Sequence, residues 1–286
     1  MSIKFTKMQA FGNDYVYIYT PGQELGDLNA LARELSDRRF GIGSDGMILI
    51  CPSETCDFRM RVFNPDGTEG EMCGNALRSV SKYVYDYKLT DMTELRIETL
   101  GGVQHVKLDV EDGIAVNILA DIGYPRYAKE AVPVITDKDE LFCEDVQILD
   151  RTFKMSSLSW GNPHTVMFLD EDLYEFDVEK YGKAIENHLS LFPKRTNVTF
   201  AIIDRPDYIR IREWERGTGE TIGCGTGCCT AVAVAHRLGL CENEVSVEQI
   251  GGILKVYVAE DGRISMKGPS NVMFDGVYKP FESKKV

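Results

Sequence analysis

The chain has 286 residues, 43% of them hydrophobic, enough for one large core or for two domains of about 140 residues each, and two is the expectation. A formal net charge of −13 excludes nucleic acid and anionic membrane as partners, because both call for a basic stripe that neutralises phosphates, and it leaves a small molecule or another protein. No run of about 18 apolar residues is present, and "MSIKFTKMQAFGNDYVYIYT" lacks a charged head followed by an apolar stretch and a cleavage site. A soluble, cytoplasmic protein is therefore expected, its eight cysteines read as reduced thiols and not as a disulfide framework.

In chain order, Asp14 to Tyr19 reads as a strand, bounded by Gly-Asn and Pro and rich in aromatic and β-branched residues. A helix is predicted from about Asp27 to Arg38, ending before Gly41. Phe58 to Phe63 is a second strand. After Cys73, "ALRSVSKYVYDY" places Leu77, Val80, Tyr83 and Val84 at helical spacing. Leu95 to Glu98 returns to strand, and Asp137 to Glu144 is a charged loop. "CTAVAVAHRLGL", following Cys224, is helix-like and closes at Gly239.

The chain is written twice. "AFGNDYVYIYT" resembles "SWGNPHTVMFL", with Asn13 and Asn162 matched at an offset of 149. "MRVFNPDG" matches "IREWERG" at an offset of 151, and the same 151 relates Cys73 to Cys224. "ELRIETLGGV" parallels "EVSVEQIGGI" further on. Chance would scatter these offsets. The expected fold is α+β: two pseudo-symmetric lobes, each a mixed, mainly antiparallel sheet or barrel around a central helix. Residues 1–122 with 276–286 would form an N-terminal lobe carrying Cys73, and 123–275 a C-terminal lobe carrying Cys224.

Both cysteines stand in one grammar, "MCGNALR" and "GCGTGCC": Cys, Gly, then a small polar residue opening a helix. A helix N-terminus favours negative charge, so it is expected to lower the thiol pKa and to cradle a carboxylate beside it. The glycine lets a ligand approach the backbone. Alone, a cysteine at a helix start is more often a small buried group; the duplication turns the pair into a candidate site. If the lobes close face to face, two thiols on opposite sides of one carbon could invert it, one removing a proton and the other returning one, while the helix ends hold the carboxylate. Neither a metal nor pyridoxal phosphate is called for: "CGTGCC" has no matching second pair, and the histidines His105, His164, His188 and His236 stand far apart. Cys228 and Cys229 have no counterpart in the first half and read as helix packing. Glu215-Arg216 lies nine residues before Cys224, as Asn64 lies nine before Cys73.

At these motifs the chain resembles the diaminopimelate epimerase family, enzymes of lysine and peptidoglycan biosynthesis that use no cofactor. "FGNDYVYI", "FGIGSDGMI", "FNPDGTEGEMCGNALR", "GNPHTV", "RTNVTF" and "ERGTGETIGCGTGCC" occur in the family's order over nearly the full length. The resemblance implies that Cys73 and Cys224 are the acid/base pair, assisted by His164 and Glu215. It implies that Gly74-Asn75 and Gly225-Thr226 hold the reacting carboxylate, and that Asn13, Asn64, Asn162, Asn197 and Arg216, with Glu215, grip the rest of a small amino-acid substrate. Arg216 suits a second carboxylate, which it would take in paired hydrogen bonds. A homodimer is implied as well. Three positions depart from the pattern: Gly46 where some members carry glutamine, Ser79 where many carry cysteine, and Phe274 where a tyrosine is associated with the dimer contact. A racemase of a related amino acid such as lanthionine, a thiol redox switch and a non-catalytic ligand-binding protein are the alternatives.

Overall fold

A computed structural model describes residues Ser2–Lys279. The chain divides into two compact units, the first running to Ala120 and resuming at Pro269, the second Asp121–Gly268. The first unit thus resumes at Pro269 and not at 276, because its last strand begins at Asn271 and zips onto its first. Residues 1 and 280–286 of the expected N-terminal lobe lie outside the described residues.

The first unit contains β1 (Ile3–Ala10), β2 (Asn13–Tyr19), α1 (Leu28–Ser36), β3 (Met47–Cys51), β4 (Phe58–Phe63), β5 (Glu69–Gly70), α2 (Gly74–Asp86), β6 (Glu94–Thr99) and β7 (Gly102–Glu111), and β8 (Ile114–Gly123) carries the chain across the division. The second contains β9 (Glu144–Ile148), β10 (Arg151–Ser159), β11 (Pro163–Phe168), α3 (Val178–Glu186), β12 (Asn197–Arg205), β13 (Tyr208–Glu215), β14 (Gly219–Thr221), α4 (Gly225–Arg237), β15 (Glu244–Gln249), β16 (Gly252–Val258) and β17 (Ile264–Gly268). Last comes β18 (Asn271–Tyr278), of the first unit.

The two units share one topology. β2 and β3 pair in parallel, as do β11 and β12; β4 lies parallel to β6 as β13 does to β15. The other ladders are antiparallel, and β1 is flanked by β2 and β18 as β10 is by β11 and β9. Each unit is therefore a mixed, mainly antiparallel sheet around a central helix. That helix is buried on nearly every side: α4 from Gly227 to Ala235 without a break, α2 from Asn75 to Lys82. The buried polar residues of α2 survive there because each has a partner. Ser81 Oγ donates to Leu77 O, and Lys82 Nζ reaches Ala115 O and Asp86.

A core against α1 gathers Ile3, Val16, Ile18, Leu31, Leu35 and Phe63, and one against α3 gathers Phe153, Phe176, Val178, Ile185, Phe192, Val198 and Phe200. One helix is absent from the expectations. α3 answers α1, and each starts on an aspartate N-cap, Asp27 accepting from Asn29 N and Ala30 N, Asp177 from Lys180 N.

Candidate active site

Each central helix starts on a cysteine. Cys73 (φ −139°, ψ 117°) and Cys224 (φ −125°, ψ 107°) are extended N-cap residues, so both thiols stand at the first turn of a helix.

In the first unit, Cys73 Sγ lies 3.7 Å from Asn13 Oδ1, which also accepts from Asn75 Nδ2 at 3.2 Å. Asn13 is oriented from behind: its Nδ2 donates to Asp45 at 2.9 Å, and Asp45 takes Arg38 and the Asp14 N–H. Asn75 Oδ1 accepts from the wholly buried Arg78 at 2.6 Å, and Arg78 reaches the Gly74 carbonyl and lies 5.4 Å from the Phe11 ring. Gly74 and Asn75 thus open α2 with a guanidinium beneath them. Tyr15, which the sequence reading did not single out, is buried against the thiol; burial first, then the charge of Cys73 and a hydrogen bond with it, push the phenol well above its ordinary value. Asn64 is bonded elsewhere, in the β4–β5 turn, where its Nδ2 donates to Thr68 Oγ1 at 2.9 Å. Gly46 has no room for a longer side chain: at φ +148° a Cβ would come within 2.2 Å of the Phe63 carbonyl and 2.8 Å of the Tyr15 ring. Ser79 is buried and bonds Ser270 at 2.7 Å.

In the second unit, Cys224 is buried, accepts from Gly227 N at 3.4 Å and lies 3.5 Å from Thr226 Oγ1. Its own N–H donates to Gln249 Oε1 at 2.8 Å. The expected lowering of its pKa is not what the surroundings produce. Burial, then the charges of Glu215 and Glu213, push the Cys224 thiol well up, and the hydrogen bonds from Thr226 and Gly227 recover only part. Burial, with two carboxylates delivered by β13, outweighs those two hydrogen bonds.

Glu215 accepts from Thr221 Oγ1 at 2.7 Å across the β13–β14 hairpin. The segment Glu215-Arg216 is pinned from below by Glu186 of α3, which receives Trp214 Nε1–H and the Gly217 N–H, each at 2.8 Å. Arg216 is exposed and donates to the Lys194 carbonyl at 3.1 Å. Asn197 is a bracket: its Oδ1 accepts from the Arg216 N–H at 2.8 Å and its Nδ2 donates to Pro163 O at 3.0 Å, close to His164 Nε2 at 3.4 Å. His164 is completely buried, with Nδ1 3.4 Å from Glu213. Asn162 caps the β10–β11 turn, its carbonyl accepting from Trp160 N. Tyr15, Arg78, Glu186, Glu213 and Gln249 are the residues that the motifs alone did not bring forward. Among the described residues no cluster of His, Cys, Asp and Glu could hold a metal ion, none of the eight cysteines is in a disulfide, and no helix is long and apolar enough to cross a membrane.

Solved structures with this fold include a Bacillus anthracis phenazine biosynthesis protein of the PhzF family, with a TM-score of 0.73 at 18% identity over 98% of this chain and all of that one. A hydroxyproline epimerase from Agrobacterium vitis follows with a TM-score of 0.66 at 13% identity, over 96% and 92% of the two chains. At these identities the likeness is one of fold. Much closer in sequence is the diaminopimelate epimerase of Methanococcus maripaludis strain C5, 41% identical over 275 residues that cover 96% of this chain and 99% of that protein. That of Agathobacter rectalis is 43% identical over 282 residues, covering 96% and 98%. The family profile described as diaminopimelate epimerase matches residues 5–127 and 156–273, both halves of the repeat, and the chain belongs to the diaminopimelate epimerase family.

Proposed function

We propose that this protein interconverts LL- and meso-diaminopimelate, in lysine and peptidoglycan precursor biosynthesis, by proton transfer between two cysteines and the α-carbon without a cofactor. The observation that carries the reading is the repeated placement of a thiol on the N-cap of the central helix, once in each unit. Inversion requires one base to take the α-proton and an acid to return one to the opposite face. One thiol acts as thiolate and becomes protonated; the electron pair left on the α-carbon is shared with the carboxylate; the other thiol gives up its proton to the far face. Cys224 suits the proton-donor role at rest, since burial and two carboxylates favour its thiol form. The N–H groups at Gly74-Asn75 and Gly225-Thr226 suit the carboxylate, whose charge grows as the proton leaves. Exposed Arg216 suits the second carboxylate of the substrate, and Asn13, Asn64, Asn162 and Asn197 its neutral contacts.

The test is α-proton exchange of LL-diaminopimelate in deuterated water, followed by mass spectrometry. Cys73→Ala and Cys224→Ala should each abolish epimerisation; full activity in either variant would overturn the two-thiol reading. Greater turnover of lanthionine than of diaminopimelate would reassign the substrate. A cytoplasmic homodimer completes the proposal. β18 leaves Val272, Met273, Phe274 and Val277 exposed, an apolar strip suited to a second copy, and light scattering would report the mass.

A further inference from the structure

We infer that Glu213 is a positioning residue for His164, fixing the imidazole with its proton on Nδ1 and its lone pair on Nε2. The assignment follows from hydrogen-bond directions. A backbone N–H can only donate, so the bond from Arg216 N fixes the acceptor end of the Asn197 amide, and the other end must be the NH2 group. That NH2 lies 3.4 Å from His164 Nε2, which is therefore the acceptor nitrogen of the neutral ring. The ring proton then stands on Nδ1, facing Glu213 Oε1 at 3.4 Å. Neither of these two buried atoms has a hydrogen-bond partner, and at 3.4 Å each is placed to answer the other's need. The second Glu213 oxygen is tied by Thr199 Oγ1 at 2.5 Å, which stops the carboxylate from turning away.

The internal repeat shows that the fold itself does not require a charge here. Thr199 and Glu213 face each other across β12 and β13. At the common offset of 151, the same cross-strand pair in the first unit is Ile48 and Val62, both buried. One topology thus closes with two aliphatic side chains in one copy and with a hydroxyl and a carboxylate, at 0% and 2% exposure, in the other. Burying a carboxylate is costly unless it is paired, and an apolar pair of similar volume is commonly as stable or more so. His164 supplies the difference: its counterpart in the first unit, at the offset of Asn13 and Asn162, is Tyr15, which has no second nitrogen to direct.

This inference rests on the proposed epimerase chemistry only for its kinetic readout. The test transplants the first unit's pair into the second, Thr199→Ile with Glu213→Val, and uses Glu213→Leu, which has no acceptor, as a second variant in case the first fails to fold. Protein labelled with 15N-histidine reports which ring nitrogen carries the proton, and the His164→Gln spectrum identifies the resonances of His164 among the four histidines. The parent should show one Nδ1–H tautomer. In the variants Nδ1–H has no acceptor and only the Asn197 NH2 still favours that form, so the ring should average between forms, with kcat lowered by about a hundredfold, toward the small end of acid–base effects, and KM held within about twofold. An unchanged tautomer with unchanged kcat in either folded variant would overturn the assignment. If the parent shows no α-proton exchange at all, the proposed function falls while the tautomer measurement still decides the role of Glu213.

Discussion

Replacing Gly227 by alanine separates two forces that act on the same atom. On helix propensity alone, alanine at this position of α4 should stabilise the protein by about 1 kcal/mol. In the structure, a Cβ there would stand 2.5 Å from Glu213 Oε2 and 2.8 Å from its carboxyl carbon. Van der Waals separation then demands a retreat of roughly 1 Å. The carboxylate has nowhere to go: it is buried, tied to Thr199 at 2.5 Å and facing His164. Overpacking costs about 1–3 kcal/mol, and disturbing a charged buried hydrogen bond about 1.5–3 kcal/mol more, so the clash outweighs the helix gain. A net loss of about 2 kcal/mol is expected, a fall in Tm of roughly 3 °C for a chain of this size. Thermal unfolding followed by circular dichroism and urea titration would measure it. An alanine variant as stable as the parent, or more so, would refute the close packing of Glu213 under the start of α4.

Two further outcomes are expected. Burial raises Asp14, but the hydrogen bonds from Arg38 and Lys7 outweigh it and hold its carboxyl below the ordinary value. A depressed folded-state pKa contributes stability that is fully present above the unfolded pKa and is lost as pH falls through the folded one, so urea midpoints should drop from about pH 5 downward, and less steeply in Asp14→Asn. Arg216→Ala should raise KM for diaminopimelate by about ten- to a hundredfold, the worth of a charge-assisted hydrogen bond, and an unchanged KM would show that Arg216 does not meet the second carboxylate.

Strand β4 and the helices after the two cysteines were legible because their patterns are local: alternation in "FRMRVF", helical spacing in "ALRSVSKYVYDY". The duplication was legible because glycine turns and thiol motifs repeat at nearly fixed offsets. α3 was not, since Gly182 interrupts its middle; the structure shows why it is tolerated, for a Cβ there would meet the Trp214 side chain at 2.6 Å. Nothing local in "IREWERG" sets Glu213 apart from the charges beside it. Its alternation with buried Ile209 and Ile211 is the signal that would have turned it inward. The helix-end reading of Cys224 did not anticipate the raised thiol pKa because burial first, and then the carboxylates of Glu215 and Glu213 on β13, push it up, and both belong to the tertiary structure.

Two identical halves would give both thiols the same neighbours. Joining the copies in one polypeptide lifts that constraint. Tyr15 and His164 have diverged at one repeated position, Gly46 and Asn197 at a second, Val62 and Glu213 at a third. The proposed reaction asks one thiol to give a proton while the other takes one, and divergence of the two copies gives each thiol surroundings of its own.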